Sequence, residues 1–120
     1  MVIPADDLAR LRQAPYIWLA TVRENGIPHL VPIWFVWDAE QAFICTSRNS
    51  VKARNIALNP SVCISLEDAG DPIVLEGEAA ILNSIPAEIA KAFETKYDWN
   101  IRSDTTYDVV IRITPRRMLM

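Results

Sequence analysis

From the amino end, apolar positions first recur at helical spacing and then, from residue 16 onward, fall into short runs separated by turn residues. Ile3 to Ala14 predicts a short amphipathic helix: Pro4 suits its first turn, Asp6 and Asp7 stand at its positive end, and Leu8 and Leu11 share a face. Pro15 stops it. Tyr16 to Val22 and Ile27 to Trp37 predict two strands, joined through Glu24-Asn25-Gly26, whose Asn-Gly supplies the left-handed conformations of a tight hairpin. Asp38 to Gln41 is the next turn. Phe43 to Thr46 then predicts a strand, Ser47 to Ser50 a small polar turn, and Val51 to Leu58 a helix with Ser50 as its N-cap. Ser61 to Leu66 is a further strand, Glu67 to Pro72 a polar turn, and Ile73 to Leu82 a strand with Gly77 as a bulge. Pro86 to Lys96 predicts a helix capped by Ser84, and Tyr107 to Thr114 the last strand, with continuation past Pro115 left open. Short strands at close spacing with no repeat or linker predict one mainly β domain over residues 1–120, an antiparallel barrel with peripheral helices.

Within that pattern, Leu30 to Trp37 is apolar at every position, where a half-buried strand would alternate. A barrel interior covers one face, and a second subunit, a planar ligand or both must cover the other. Pro28 and Pro32 remove ladder donors, which places them at a strand start, a bulge or an edge. Trp34 and Trp37 read as core or interface anchors or as ligand platforms.

Charge singles out the stretch from Phe43 to Pro60. Between Glu40 and Glu67 there is no acidic residue, while Arg48, Lys52 and Arg54 crowd the turn and first helical turn, where the macrodipole is already positive. Such cations repel the helix end unless an anion such as a phosphate sits among them with the hydroxyls of Thr46, Ser47 and Ser50. The plainer reading is that the arginines are solvated and Lys52 lies along the helix.

Composition narrows the class. The 120 residues are 51% hydrophobic with a net charge of −3, so the positive charge is local; that suits a small anionic ligand and disfavours a nucleic-acid backbone. Neither a basic leader nor a membrane-length apolar run stands out, so a cytoplasmic protein without a membrane partner is expected. Cys45 and Cys63 form no C-x-x-C pattern and read as buried free thiols. The single His29 reads as a rim residue, Glu76 and Glu78 as solvated, and no G-x-S-x-G or metal-ligand cluster is present in the sequence.

Taken together, A-T-V-R-E-N-G-I-P-H-L-V-P-I-W-F-V-W-D, C-T-S-R-N-S-V-K-A-R-N-I-A-L-N-P-S-V-C-I-S-L, V-L-E-G-E-A and V-I-R-I-T-P-R-R resemble the FMN-binding split barrels related to pyridoxamine 5'-phosphate oxidase. The resemblance implies a homodimer with two interfacial sites for a flavin-type cofactor. It implies that Lys52 meets the cofactor phosphate, helped by Thr46, Ser47 and Arg48, and that the backbone of Val31 to Trp34 lies along the isoalloxazine ring. Many relatives carry an arginine two positions before that lysine, where this chain has Ser50, so Arg48 or Arg54 is the candidate for the missing charge; Asn55 is expected only to brace the helix. The candidate cofactor-binding set is Val31, Pro32, Ile33, Trp34, Cys45, Thr46, Ser47, Arg48, Ser50, Lys52 and Arg54, with no catalytic side chain and no metal ligand assigned. The implied function is an FMN-dependent oxidoreductase acting on an unidentified small molecule. The alternatives are a reductase using the deazaflavin coenzyme F(420) and a non-catalytic flavin- or haem-binding protein. The oxidase that names the family has a C-terminal segment that helps hold the substrate phosphate, whereas this chain closes at Arg116-Arg117-Met118-Leu119-Met120. Poor turnover of pyridoxamine 5'-phosphate and a preference for a less charged acceptor are therefore expected.

Overall fold

The computed structural model describes residues 1–119. Its elements run α1 (Ala5–Gln13), β1 (Ile17–Val22), β2 (Pro28–Ile33), β3 (Val36–Asp38), β4 (Gln41–Thr46), α2 (Val51–Leu58), β5 (Ser61–Ser65), β6 (Val74–Ile81), α3 (Ala87–Tyr97), a 3-10 turn (Ile101–Ser103) and β7 (Val109–Leu119). The strands form one antiparallel sheet in the order β2-β1-β5-β6-β7-β4-β3. Laid flat, its six inter-strand gaps would hold the two edges about 29 Å apart. Yet β2 and β3 are those edges, and only Trp34 and Phe35 join them, so Ile33 and Val36 lie within about 11 Å of each other. The sheet must curl until its edges meet, which makes it the mainly β, antiparallel split barrel that the sequence predicts.

Ile27 to Trp37 is therefore not one strand but two, at opposite edges, with Phe35 wholly buried at the break. Two apolar, β-prone residues carry no turn signal, so the sequence pattern runs through the break unmarked. In the single chain β2 alternates exposed and half-buried, with Leu30 60% and Trp34 51% exposed, while Trp37 joins the core. The strand covered on both faces is β4: Ala42 and Ile44 point into the barrel with Ile17, Leu19, Leu75 and Ile113, while Phe43 and Cys45 pack beneath Ile89 and Phe93 of α3.

Several local expectations shift. In the β1–β2 hairpin only Gly26 takes a positive φ, of 85°, following a turn closed by its N–H on the Arg23 carbonyl, so Asn25 is not left-handed. Ser84 does not cap α3; the helix begins at Ala87, and the Pro86 carbonyl accepts from Ile89 and Ala90, two residues beyond Ser84's reach. The last strand starts at Val109 rather than Tyr107 and does run past Pro115, since β4 no longer pairs there and the bulge at Glu76–Gly77 faces it. That bulge needs glycine: a Cβ on Gly77 would lie 2.2 Å from the Thr114 carbonyl oxygen. Ser50 is the N-cap expected, its hydroxyl accepting from the Ala53 N–H at 3.2 Å.

The buried break at Phe35 has backbone groups that no strand satisfies. Tyr97, at the end of α3, supplies them: its hydroxyl accepts the Phe35 N–H at 3.0 Å and lies 2.8 Å from both the Phe35 and Pro15 carbonyls, while the Lys96 ammonium donates to the Phe35 carbonyl at 2.9 Å. Tyr97→Phe should thus cost about 1–3 kcal/mol, the penalty for an unpaired buried donor, as read by urea denaturation of the two proteins. An unchanged midpoint would show that the break is satisfied by other means.

Candidate functional site

Strand ends and helix ends converge on one cavity of about 860 Å³, within the range of small-molecule sites. β2 contributes Pro32 and Ile33, with Trp34 following; β4 contributes Cys45 and Thr46, and α2 contributes Lys52. Tyr16 and Trp18 form another side, and the segment between α3 and β7 brings Tyr97, Asp98, Trp99, Asp104 and Tyr107. Of the residues singled out in the sequence, Pro32, Ile33, Trp34, Cys45, Thr46 and Lys52 line this cavity together.

The remaining candidates lie elsewhere. Val31 is half-buried in β2, paired with Leu19. Ser47 accepts the Asn49 N–H through its hydroxyl, and Ser50 is committed to the α2 cap while accepting from Thr46 at 3.4 Å. Arg48 is exposed, its backbone N–H donating to Asp108 at 2.8 Å. Arg54 lines a separate cavity of about 510 Å³ with Arg23 and Asn25. Asn55 braces α2 as expected, its amide donating to Thr21 at 2.9 Å in the interior.

Lys52 is electrostatically the unusual member. It is half-buried in the first turn of a helix that has no acid there, and burial pushes its ammonium below the ordinary lysine value. Among the described residues the ion pairs belong to Arg10, Arg116 and Arg117, and none reaches Lys52. His29 is held below its ordinary value by burial and by the charges of Arg23 and Lys52, so it is neutral at neutral pH, with Nδ1 buried and without a partner among the described residues. It is half-buried on the edge strand β2 and does not line the cavity. Burial raises the Cys45 thiol to about 12, with Asp104 and Asp108 adding to the effect, so it is no nucleophile at neutral pH. Cys63 is half-buried rather than fully enclosed, and its thiol is also raised by burial.

The aromatic wall went unread in the sequence because Tyr97 to Tyr107 lies outside the strands and forms a surface only when folded against Trp34. Trp34 stacks on Tyr97 with centroids 4.6 Å apart and planes 4° from parallel, Trp99 meets Trp34 edge-on at 6.0 Å, and Tyr107 meets Trp99 at 5.6 Å. Asp104 fixes the segment, accepting from the Trp99 ring at 3.0 Å and from the Thr106 and Tyr107 N–H groups, which hold its carboxyl below the usual range. Opposite in chain order, Glu67 accepts from the Tyr16 hydroxyl and from the Trp18 ring at 3.3 Å, so one carboxylate orients two wall rings. The sequence signal available was the density of aromatic and acidic residues in Y-D-W-N-I-R-S-D-T-T-Y.

The structure is a split barrel whose cavity joins a lysine without an ion-pair partner among the described residues to a strand end and aromatic walls. The profile of the family described as pyridoxamine 5'-phosphate oxidase matches residues 4–120, and the chain belongs to that family. A 5a,11a-dehydrotetracycline/5a,11a-dehydrooxytetracycline reductase of Streptomyces rimosus is 33% identical over 124 residues, which cover 94% of this chain and 78% of the relative. Among solved structures, an F(420) reductase superposes with a TM-score of 0.79 at 26% identity over 98% of each chain. HutZ, the haem storage protein of Vibrio cholerae, superposes with a TM-score of 0.80 at 19% identity, over 97% of this chain and 93% of its own, a likeness of fold.

Lys96 also carries a pH signature. Burial lowers its ammonium from 10.5 to about 8. Between those values the unfolded chain holds a proton that the folded one has released, so this group's contribution makes stability rise with pH across that window and stay flat below it. Lys96→Met should remove that alkaline rise, as read by thermal unfolding midpoints of both proteins from neutral pH upward. A rise of equal size in the variant would assign it to another group.

Proposed function

We propose that this chain is a hydride-transferring reductase that holds a flavin-type cofactor in the 860 Å³ cavity. One observation carries the reading: Lys52 is a half-buried cation at a helix start, with no acid against it among the described residues. A cofactor phosphate supplies the missing charge. The residues fit such a group: Lys52 and the Thr46 hydroxyl form a polar end, and the strand end Pro32–Trp34 offers an apolar run with edge backbone groups that no other strand pairs. Between cofactors, the sequence features suit both, and FMN is the choice that the family resemblance implies. The likeness to an F(420) reductase across the full chain, and to a 5a,11a-dehydrotetracycline/5a,11a-dehydrooxytetracycline reductase, moves our preference to the deazaflavin F(420).

When bound, either cofactor in its reduced form supplies a hydride, which the acceptor takes together with a proton. The protein's part is binding and orientation. Lys52 and Thr46 hold the charged end, Ser50 keeps the α2 start rigid through its cap, and the rings of Trp18, Trp34 and Trp99 exclude water beside the strand end. Cys45 stays a thiol and takes no proton from the acceptor's vicinity.

The exposed apolar residues Ile27, Leu30 and Trp34 on and beside β2 support a two-fold homodimer that covers this edge and completes the site. Light scattering on dilute protein should give twice the chain mass, and a monomer that retains cofactor would remove the dimer from this reading.

Removing the lysine tests the anion site itself. Lys52→Ala should weaken binding of FMN or F(420) by about 1.5–3 kcal/mol, the worth of a hydrogen bond to a charged group, with the fold retained. Titration of each cofactor into both proteins decides it, and equal affinities would take Lys52 out of the site.

A further inference from the structure

Two helix ends reach the cavity, and each carries a charge of the wrong sign. Lys52 stands at the positive start of α2; Asp98 stands just past the negative end of α3, where a carboxylate is unfavourable. The fold does not require the Asp98 charge. Capping there is done by the backbone, the Asp98 N–H donating to Glu94 at 2.9 Å, and the left-handed φ of 53° suits asparagine as well. Asp98 is exposed, and among the described residues its carboxylate has no hydrogen-bond donor and no cation against it, since the nearby Lys96 is turned onto the Phe35 carbonyl and ring, which leaves the carboxylate open to a ligand entering the cavity it lines. Asp104, by contrast, has its carboxylate filled by Trp99, Thr106 and Tyr107.

The cavity that Asp98 lines also holds rings that remain partly open: Tyr107 is 48% exposed, and Trp34, stacked on Tyr97 through one face, lies where the proposed dimer completes the site. Flat rings attract planar π-systems, and their negative faces together with a free carboxylate attract cations. Both preferences coincide in one cavity that is large enough for more than a cofactor's charged end.

We infer that the acceptor is a planar aromatic molecule bearing a positive charge, such as a ring system with a protonated amine, and that Asp98 is the residue that selects for the charge. The less charged acceptor expected from the sequence is thereby given a sign. Calling the bound cation a substrate rests on the reductase reading above, whereas the cation preference itself does not. Lys52 offers no objection, because a cofactor phosphate neutralises it.

Calorimetric titration at neutral pH with 9-aminoacridine, acridine and acridine-9-carboxylate tests this, since one ring system then carries positive, zero and negative charge. The native protein should bind the cation about tenfold more tightly than the neutral ring and the anion most weakly, the preference shrinking as salt is raised. Asp98→Asn should bring cation and neutral ring to within about twofold. No cation preference in the native protein, or an undiminished one in Asp98→Asn, overturns the inference; the native salt series alone decides it should the variant not fold. FMN and F(420) are titrated alongside. If neither binds while the cation preference stands, the reductase reading falls and this one holds; if a cofactor binds and the preference is missing, the reverse follows.

Discussion

Everything in this molecule depends on closing a seven-stranded sheet through a two-residue link. Trp34 and Phe35 must carry the chain from one sheet edge to the other, and Phe35 does so with no solvent access. A backbone break in a dry interior is tolerable only if its N–H and C=O find partners. One tyrosine hydroxyl and one lysine ammonium provide them, both from the last turn of α3. The same geometry creates the site: anchoring Tyr97 at the break sets its ring parallel to Trp34 and delivers Asp98 and Trp99 to the cavity. Fold closure and the aromatic wall are therefore one structural event.

Electrostatics then separates what is structural from what is not. Arg10 bridges Asp7, Asp68 and Asp71 on the surface, pairs that contribute little individually and tie α1 to the loop before β6. Lys52 and Asp98 have no such partners and each opposes its helix dipole. Of the two, Lys52 is half-buried while Asp98 is exposed, so the uncompensated charge is desolvated only at the start of α2.

The family's barrel is shared by a named reductase and by a haem storage protein, so the architecture does not choose the chemistry. In this chain the choice lies with a handful of side chains at strand and helix ends. Cys45, the cysteine that lines the cavity, is buried beneath α3 with its proton firmly held and offers no nucleophile at neutral pH. That leaves binding and orientation as the protein's share, which accords with chemistry carried by a cofactor.

What the sequence determined was local. Ser50 as a cap, Gly26 in the hairpin, Gly77 at the bulge, Asn55 as a brace and a lysine in an acid-free helix start are all features whose cause lies within a few residues of the chain. The strand run into that helix was legible for the same reason, and with it Thr46 and Lys52, whereas Cys45 read locally only as a buried thiol. Only the tertiary structure decided where Ile27 to Trp37 breaks, because Trp34 and Phe35 are as apolar and β-prone as their neighbours and the break is imposed by sheet closure. It alone placed Arg54 in a different cavity from Lys52, two residues away, since consecutive helical positions diverge by about 100° each. And it alone built the wall of Tyr97 to Tyr107, whose contacts with Trp34 join residues more than sixty positions apart and so leave no period or motif along the chain.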